Sequence, residues 1–156
     1  MTRERQLIRV IDVMKTAVDI IDDSMTVAQA LKMMKHFETK CLIVDKRHDD
    51  DEYGIVLISD IACHVLAKDR SPERVNVYEI MFKPVIAVNP QMDIRYCARL
   101  FQKLGLSRTP VIENGKVIGI ISYTDMVLKG MCAITPGCDA NLSQSPPPND
   151  ESDKRK

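Results

Sequence analysis

The sequence has no tryptophan, and only 4% of its 156 residues are aromatic. A core must therefore be built from Ile, Val, Leu and the nine Met, the last a side chain that fills irregular gaps and specifies packing loosely. Net charge is missing as well, since 22 basic residues face 22 acidic ones. That balance excludes the broad positive field behind most nucleic-acid binding, yet leaves room for a small anion held by a few local groups. No apolar run approaches the ~18 residues of a bilayer span. The opening Met1-Thr2-Arg3-Glu4-Arg5-Gln6 also lacks the apolar stretch of a secretory leader. The expectation is a cytoplasmic chain that engages neither membrane nor nucleic acid.

Metal and redox motifs are absent too. The five cysteines (Cys41, Cys63, Cys97, Cys132 and Cys138) contain no C-x-x-C, so neither a zinc ribbon nor a disulfide framework is expected. Cys41, Cys63 and Cys97 lie in apolar patterns, where a reduced thiol acts as a small hydrophobe. Cys132 and Cys138 flank Thr135-Pro136-Gly137 and read as solvent-exposed bystanders more than as a regulatory thiol pair. His36, His48 and His64 show no metal spacing. The run Asp49-Asp50-Asp51-Glu52 beside His48 lacks the alternating ligands and central Gly of a calcium loop, so it reads as a solvated acidic turn. No Walker loop, G-x-G-x-x-G or Ser-His-Asp arrangement stands out, and no catalyst is expected.

What the chain does have is a repeat. The apolar share of 45% is that of a globular protein, and it is laid out twice. Asp12-Val13-Met14 answers Glu79-Ile80-Met81, and short strands follow at 18–21 and 85–88. A helix start follows each strand. Thr26-Val27-Ala28-Gln29 reads as a capping box, and Asp93 fills the N-cap role in the second copy. The helices then match 67 positions apart: Val27 with Ile94, Ala30 with Cys97, Leu31 with Ala98, Met34 with Phe101, Phe37 with Leu104. That series lays one apolar stripe along each helix. Gly105 ends the second helix, while the first, with Glu38-Thr39, is expected to be one residue shorter.

A β-hairpin comes next in each copy. The second turns through Asn114-Gly115, whose two positions tolerate the positive φ of a tight hairpin turn. The first runs from Cys41 to Asp45 and returns from Tyr53 through a longer acidic turn. Short helices starting at Ser59-Asp60 and Thr124-Asp125 close the copies. The fold class is α+β, two β-α-β-β-α units packed about a pseudo-twofold axis, because one such unit alone has a marginal core. The expected divisions are 1–68 for an N-terminal segment with the first repeat, 69–78 for a connector, 79–130 for the second repeat and 131–156 for a tail. The tail, with Pro146-Pro147-Pro148 and Lys154-Arg155-Lys156, is too polar to offset the entropy of ordering and is expected to be mostly disordered.

These residues carry a resemblance. Asp12-Val13-Met14, Arg108-Thr109-Pro110-Val111-Ile112 and above all Gly119-Ile120-Ile121-Ser122-Tyr123-Thr124-Asp125 make the chain resemble a tandem pair of cystathionine-β-synthase-type (CBS) domains, a Bateman module, over about residues 8–130. The resemblance implies a non-catalytic sensor that needs no cofactor. It would bind an adenosine-containing ligand (AMP, ADP, ATP or S-adenosylmethionine) between the repeats, form a homodimer, and report ligand state to a regulated protein whose identity the sequence does not carry. The alternative is a dimerisation and interaction scaffold with no nucleotide.

The candidate ligand residues follow from the same motifs. Asp125, as an acceptor-only carboxylate, suits a ribose diol, while Ser122 and Thr124 offer hydroxyls to a phosphate near a helix N-terminus. Equally, Asp125 or Thr124 could simply cap the helix. Arg108 could hold phosphate bidentately or be a solvated surface residue. Lys40 is taken as its counterpart in the first repeat, and Lys15 lies near the first strand. Val18 and Ile20 could sandwich an adenine in the family's manner or be ordinary core. In the first repeat Leu57 replaces the hydroxyl residue while Ser59 and Asp60 remain. The Asp60 site is therefore expected to be weak, empty or altered in ligand.

Overall fold

The structure is a computed structural model and describes residues 6–138. Two units of the expected mixed type are present. In the first, β1 (Ile20–Ile21), α2 (Val27–Met33), β2 (Cys41–Val44), β3 (Gly54–Leu57) and α3 (Ile58–Ile61) follow α1 (Val10–Val13) in order. The helix of α3 continues with wider π-type turns over Ala62–Leu66. In the second, α4 (Val77–Ile80), α5 (Ile94–Leu104), β4 (Arg108–Glu113), β5 (Lys116–Ser122) and the π-type helix α6 (Asp125–Met131) follow. β1 lies parallel to β2, and β2 antiparallel to β3.

The second hairpin closes as its sequence requires, with φ of 51° at Asn114 and 76° at Gly115. Its first strand is reduced to a single parallel bridge between Val88 and Val111. Pro84 and Pro90 bracket that segment, and a proline brings no N–H to a ladder.

Both helix starts form as expected. Thr26 and Gln29 exchange hydrogen bonds at 2.9 and 3.1 Å, and Asp93 accepts from the Arg95 N–H at 2.9 Å. The ends differ more than the sequence suggested. α5 runs eleven residues to a left-handed Gly105. α2 stops after seven, and Phe37, placed on its apolar stripe by periodicity, is exposed in a separate 3-10 turn. The cause is Asp19. Its buried carboxylate accepts the N–H groups of Lys35 at 3.1 Å and His36 at 2.9 Å, so the chain leaves the helical path there. The corresponding residue of the second repeat, 67 positions on, is Ile86, which can accept nothing.

The repeats exchange their leading segments. Val10 and Val13 are buried in the core of the second repeat, with Val88, Phe101 and Met126. Val77 and Ile80 are buried in the core of the first, with Val27, Leu42 and Val56. Backbone bonds repeat the exchange with 67-residue symmetry. The Val10 N–H donates to Met92 O and the Val77 N–H to Met25 O; the Ile94 N–H donates to Ile8 O and the Val27 N–H to Val75 O. A third core, of Cys41, Ile43, Ile55 and Ile120, joins the two sheets. Neither repeat has a complete apolar interior without the other.

The exchange explains the glycine that opens each motif. Lys15 pairs with Ile120, and Phe82 pairs with Ile55. A Cβ on Gly119 would stand 2.5 Å from the Lys15 carbonyl oxygen, while one on Gly54 would stand 3.3 Å from that of Phe82. The first contact is with backbone that cannot yield cheaply; the second needs a shift of a few tenths of an ångström. Gly119→Ala is therefore expected to destabilise by about 1–3 kcal/mol, the usual range for overpacking, and Gly54→Ala by clearly less. Urea unfolding of the two variants checks the order, and equal losses would contradict it.

Candidate functional site

Ser122 ends β5 and Asp125 opens α6 three residues later. Asp125 Oδ2 accepts from the Ser122 N–H at 3.0 Å and from its hydroxyl at 2.9 Å. This is a capping arrangement, one of the two readings the sequence left open. Asp125 is only 1% exposed, and a carboxylate so buried needs a counter-charge. Lys15 brings one from the other end of the chain, with Nζ 2.6 Å from Asp125 Oδ1. Lys129, one helical turn beyond Asp125, places Nζ 3.5 Å from the same oxygen. Oδ2 thus serves the cap, and Oδ1 faces two ammonium groups.

Arg108 stands opposite Ser122 in the β4–β5 ladder. It is half-buried, and its Nη1 donates to the Thr39 carbonyl of the first repeat at 2.8 Å. Ser122, Asp125, Lys15 and Arg108 therefore share one seam between the repeats. Thr124 is exposed and makes no capping hydrogen bond.

Two further candidates lie on the strand entering the seam from the first repeat. Asp19 and Ile21 turn inward, so Val18 and Ile20 take the opposite face. Val18 packs against the third core, and Ile20 is 45% exposed. Ile20 is thus a surface residue and not part of the core.

Lys40 is not the counterpart of Arg108. It is exposed and left-handed, with φ of 55°, closing the turn at Phe37–Thr39. The ladder sets Cys41 opposite Leu57, as Arg108 is opposite Ser122, so Cys41 is the counterpart of Arg108. Asp60 repeats the cap alone: its Oδ2 accepts from the Leu57 N–H at 2.9 Å. Among the described residues Asp60 makes no ion pair.

Lys15 was the weaker candidate in sequence, because its role depends on the exchanged segment, which no local pattern reveals. Lys129 went unnoticed although it lies one turn after Asp125. The cysteines at the end of α6 also differ from expectation. Cys132 and Cys138 are joined in a disulfide that closes a seven-residue loop over the turn after α6. The 3-10 turn Cys132–Ile134 brings residues six apart together, a proximity that spacing alone did not show.

A family model described as "CBS domain" matches residues 10–67 and 77–130. An uncharacterized protein of Methanopyrus kandleri is 32% identical over 113 residues, covering 70% of this chain and 57% of that protein. The chain thus spans little more than half the length of that relative. A hexameric CBS-CP12 protein from bloom-forming cyanobacteria superposes with a TM-score of 0.77 at 40% identity, covering 83% of this chain and 75% of that one. The CBS domain pair of protein MJ0100, solved with 5'-methylthioadenosine and S-adenosyl-L-methionine, superposes with a TM-score of 0.65 at 21% identity, covering 78% and 94%. That last likeness establishes a shared fold.

The free thiols differ in burial. Burial pushes Cys41 up to about 11, against the opposing pull of the Arg108 and Lys15 charges, and burial pushes Cys97 up to about 11. Cys63 is exposed. The thiolate is the reactive form, so at pH 8 iodoacetamide should modify Cys63 and spare Cys41 and Cys97 in the folded chain. Peptide mass spectrometry checks this, and prompt labelling of Cys41 would contradict its burial in the third core.

Proposed function

The chain belongs to the CBS domain family, and on that footing we propose that it binds an adenosine-containing nucleotide at the Asp125 seam and reports occupancy to a partner protein. The observation that carries this reading is the convergence of Ser122, Asp125, Lys15 and Arg108, drawn from both repeats. The ribose diol would take Asp125 Oδ1, and the phosphate would take Lys15 and Arg108, the latter bidentately. The exposed face at Ile20, beside Val18, suits an adenine ring. One solved structure of the same fold, that of MJ0100, holds adenosyl ligands, which favours that class of occupant.

The coupling to a partner follows from where the groups lie. Lys15–Asp125 and Arg108–Thr39 both tie one repeat to the other. A ligand that engages these groups exchanges inter-repeat bonds for its own. Its differential affinity for two inter-repeat arrangements would then bias the state presented to a regulated protein or to a second copy in a homodimer. The Asp60 side, with Leu57 in place of the hydroxyl residue, is the weaker adenylate site.

Asp125→Asn preserves shape and cap while removing the charge. A hydrogen bond to a charged group is worth roughly 1.5–3 kcal/mol, so AMP affinity should fall on the order of tenfold to a hundredfold. Calorimetry with AMP, ATP and S-adenosylmethionine on the wild-type chain comes first. No heat from any of them at millimolar concentration would favour the scaffold reading, as would an unchanged thermal midpoint.

A further inference from the structure

The ladder registers allow the two capping carboxylates to be compared residue by residue. Lys15, bridged to Ile120, corresponds to Phe82, bridged to Ile55. Arg108, opposite Ser122, corresponds to Cys41, opposite Leu57. Lys129, four residues after Asp125, corresponds to His64, four after Asp60. Each cation around Asp125 thus has a counterpart that is not a fixed cation, and the hydroxyl has an apolar one. Lys83, the neighbour of Phe82, is already paired with Asp51 at 2.7 Å. Asp60 is half-buried with one oxygen capping Leu57, and Phe82 and Ile58 are exposed beside its strand and helix.

The two environments set opposite requirements. At Asp125 a ribose hydroxyl that claims Oδ1 takes the counter-charge away from Lys15 and Lys129. A ligand carrying phosphate returns an anion to those ammonium groups; an uncharged nucleoside returns nothing. At Asp60 no ammonium is displaced, since none is paired with it among the described residues; Lys40, whose carbonyl accepts from the Ile58 N–H at 3.1 Å, is exposed on a left-handed turn, so a phosphate there would meet an unpaired carboxylate with only a solvated ammonium to offset it. Resting on the adenosyl reading above, we propose that the chain sorts nucleosides by charge, with Asp125 taking a nucleoside phosphate and Asp60 a nucleoside that lacks phosphate. Lys15 and Phe82 are the specificity-determining pair.

The test uses AMP and adenosine as probes. Native mass spectrometry of the unmodified chain with both present should count one AMP and one adenosine per chain. Calorimetry should show AMP binding weakened at least tenfold by Asp125→Asn and less than twofold by Asp60→Asn, with adenosine showing the reverse. Phe82→Lys, at an exposed position, should give the Asp60 side measurable AMP affinity in the Asp125→Asn background. Mutual displacement of the two probes, or loss of adenosine binding with Asp125→Asn alone, would overturn the sorting while leaving the adenosyl reading intact. Binding of neither probe to the wild-type chain would overturn both. Should a variant fail to fold by circular dichroism, the two-probe count on the unmodified chain decides the matter.

Discussion

A carboxylate that is 1% exposed is tolerable only with a charge beside it, and for Asp125 that charge arrives from 110 residues away. Lys15 reaches it because the N-terminal segment crosses to the second repeat and runs along Ile120. Lys15 is 22% exposed and Lys129 stands 3.5 Å from the same oxygen, so breaking the pair should cost less than the ~3–5 kcal/mol of a fully buried one, yet it leaves the buried carboxylate with only the more distant partner. The pair is therefore a structural tie and a sensitive one. It fixes where the leading segment lies, and it occupies the acceptor that a ribose would use. On the proposed function, stability and responsiveness would meet in the same few atoms.

The exchange of segments gives that tie its setting. α1 completes the second core and α4 completes the first, so the marginal interior of a ~55-residue unit is solved by sharing rather than by size. Gly119 and Gly54 are the points where crossing backbone passes closest. The fold is symmetric in its backbone bonds and asymmetric in its chemistry. Asp19 shortens one helix where Ile86 leaves the other whole, and Lys15 stands where the other half has Phe82.

Much of this could be read from the chain before any coordinates. The capping box at Thr26, the N-cap at Asp93, the left-handed Gly105 and the Asn114-Gly115 turn are local signals, and local physics realised them. The repeat and its motifs were equally visible. What escaped depends on contacts remote in sequence. Periodicity put Phe37 on a helix because it could not see the buried Asp19 drawing off two N–H groups. Lys40 falls against Arg108 only if the first helix is counted one residue short; the 67-residue offset in fact continues through the turn and puts Cys41 in the place of Arg108. The candidate site was half visible: Ser122 and Asp125 lie within one motif, whereas the weight of Lys15 follows from the crossing of the segments.

The most direct measurement is on the Lys15 ammonium itself. In protein labelled with 15N-lysine, its Nζ protons should exchange more slowly with water than those of exposed lysines, because Asp125 holds them. Adding AMP should move that signal saturably as the ribose and phosphate replace the contact. A Lys15 signal indistinguishable from exposed lysines, or one unmoved by AMP that binds, would contradict the seam as the place where the nucleotide is sensed.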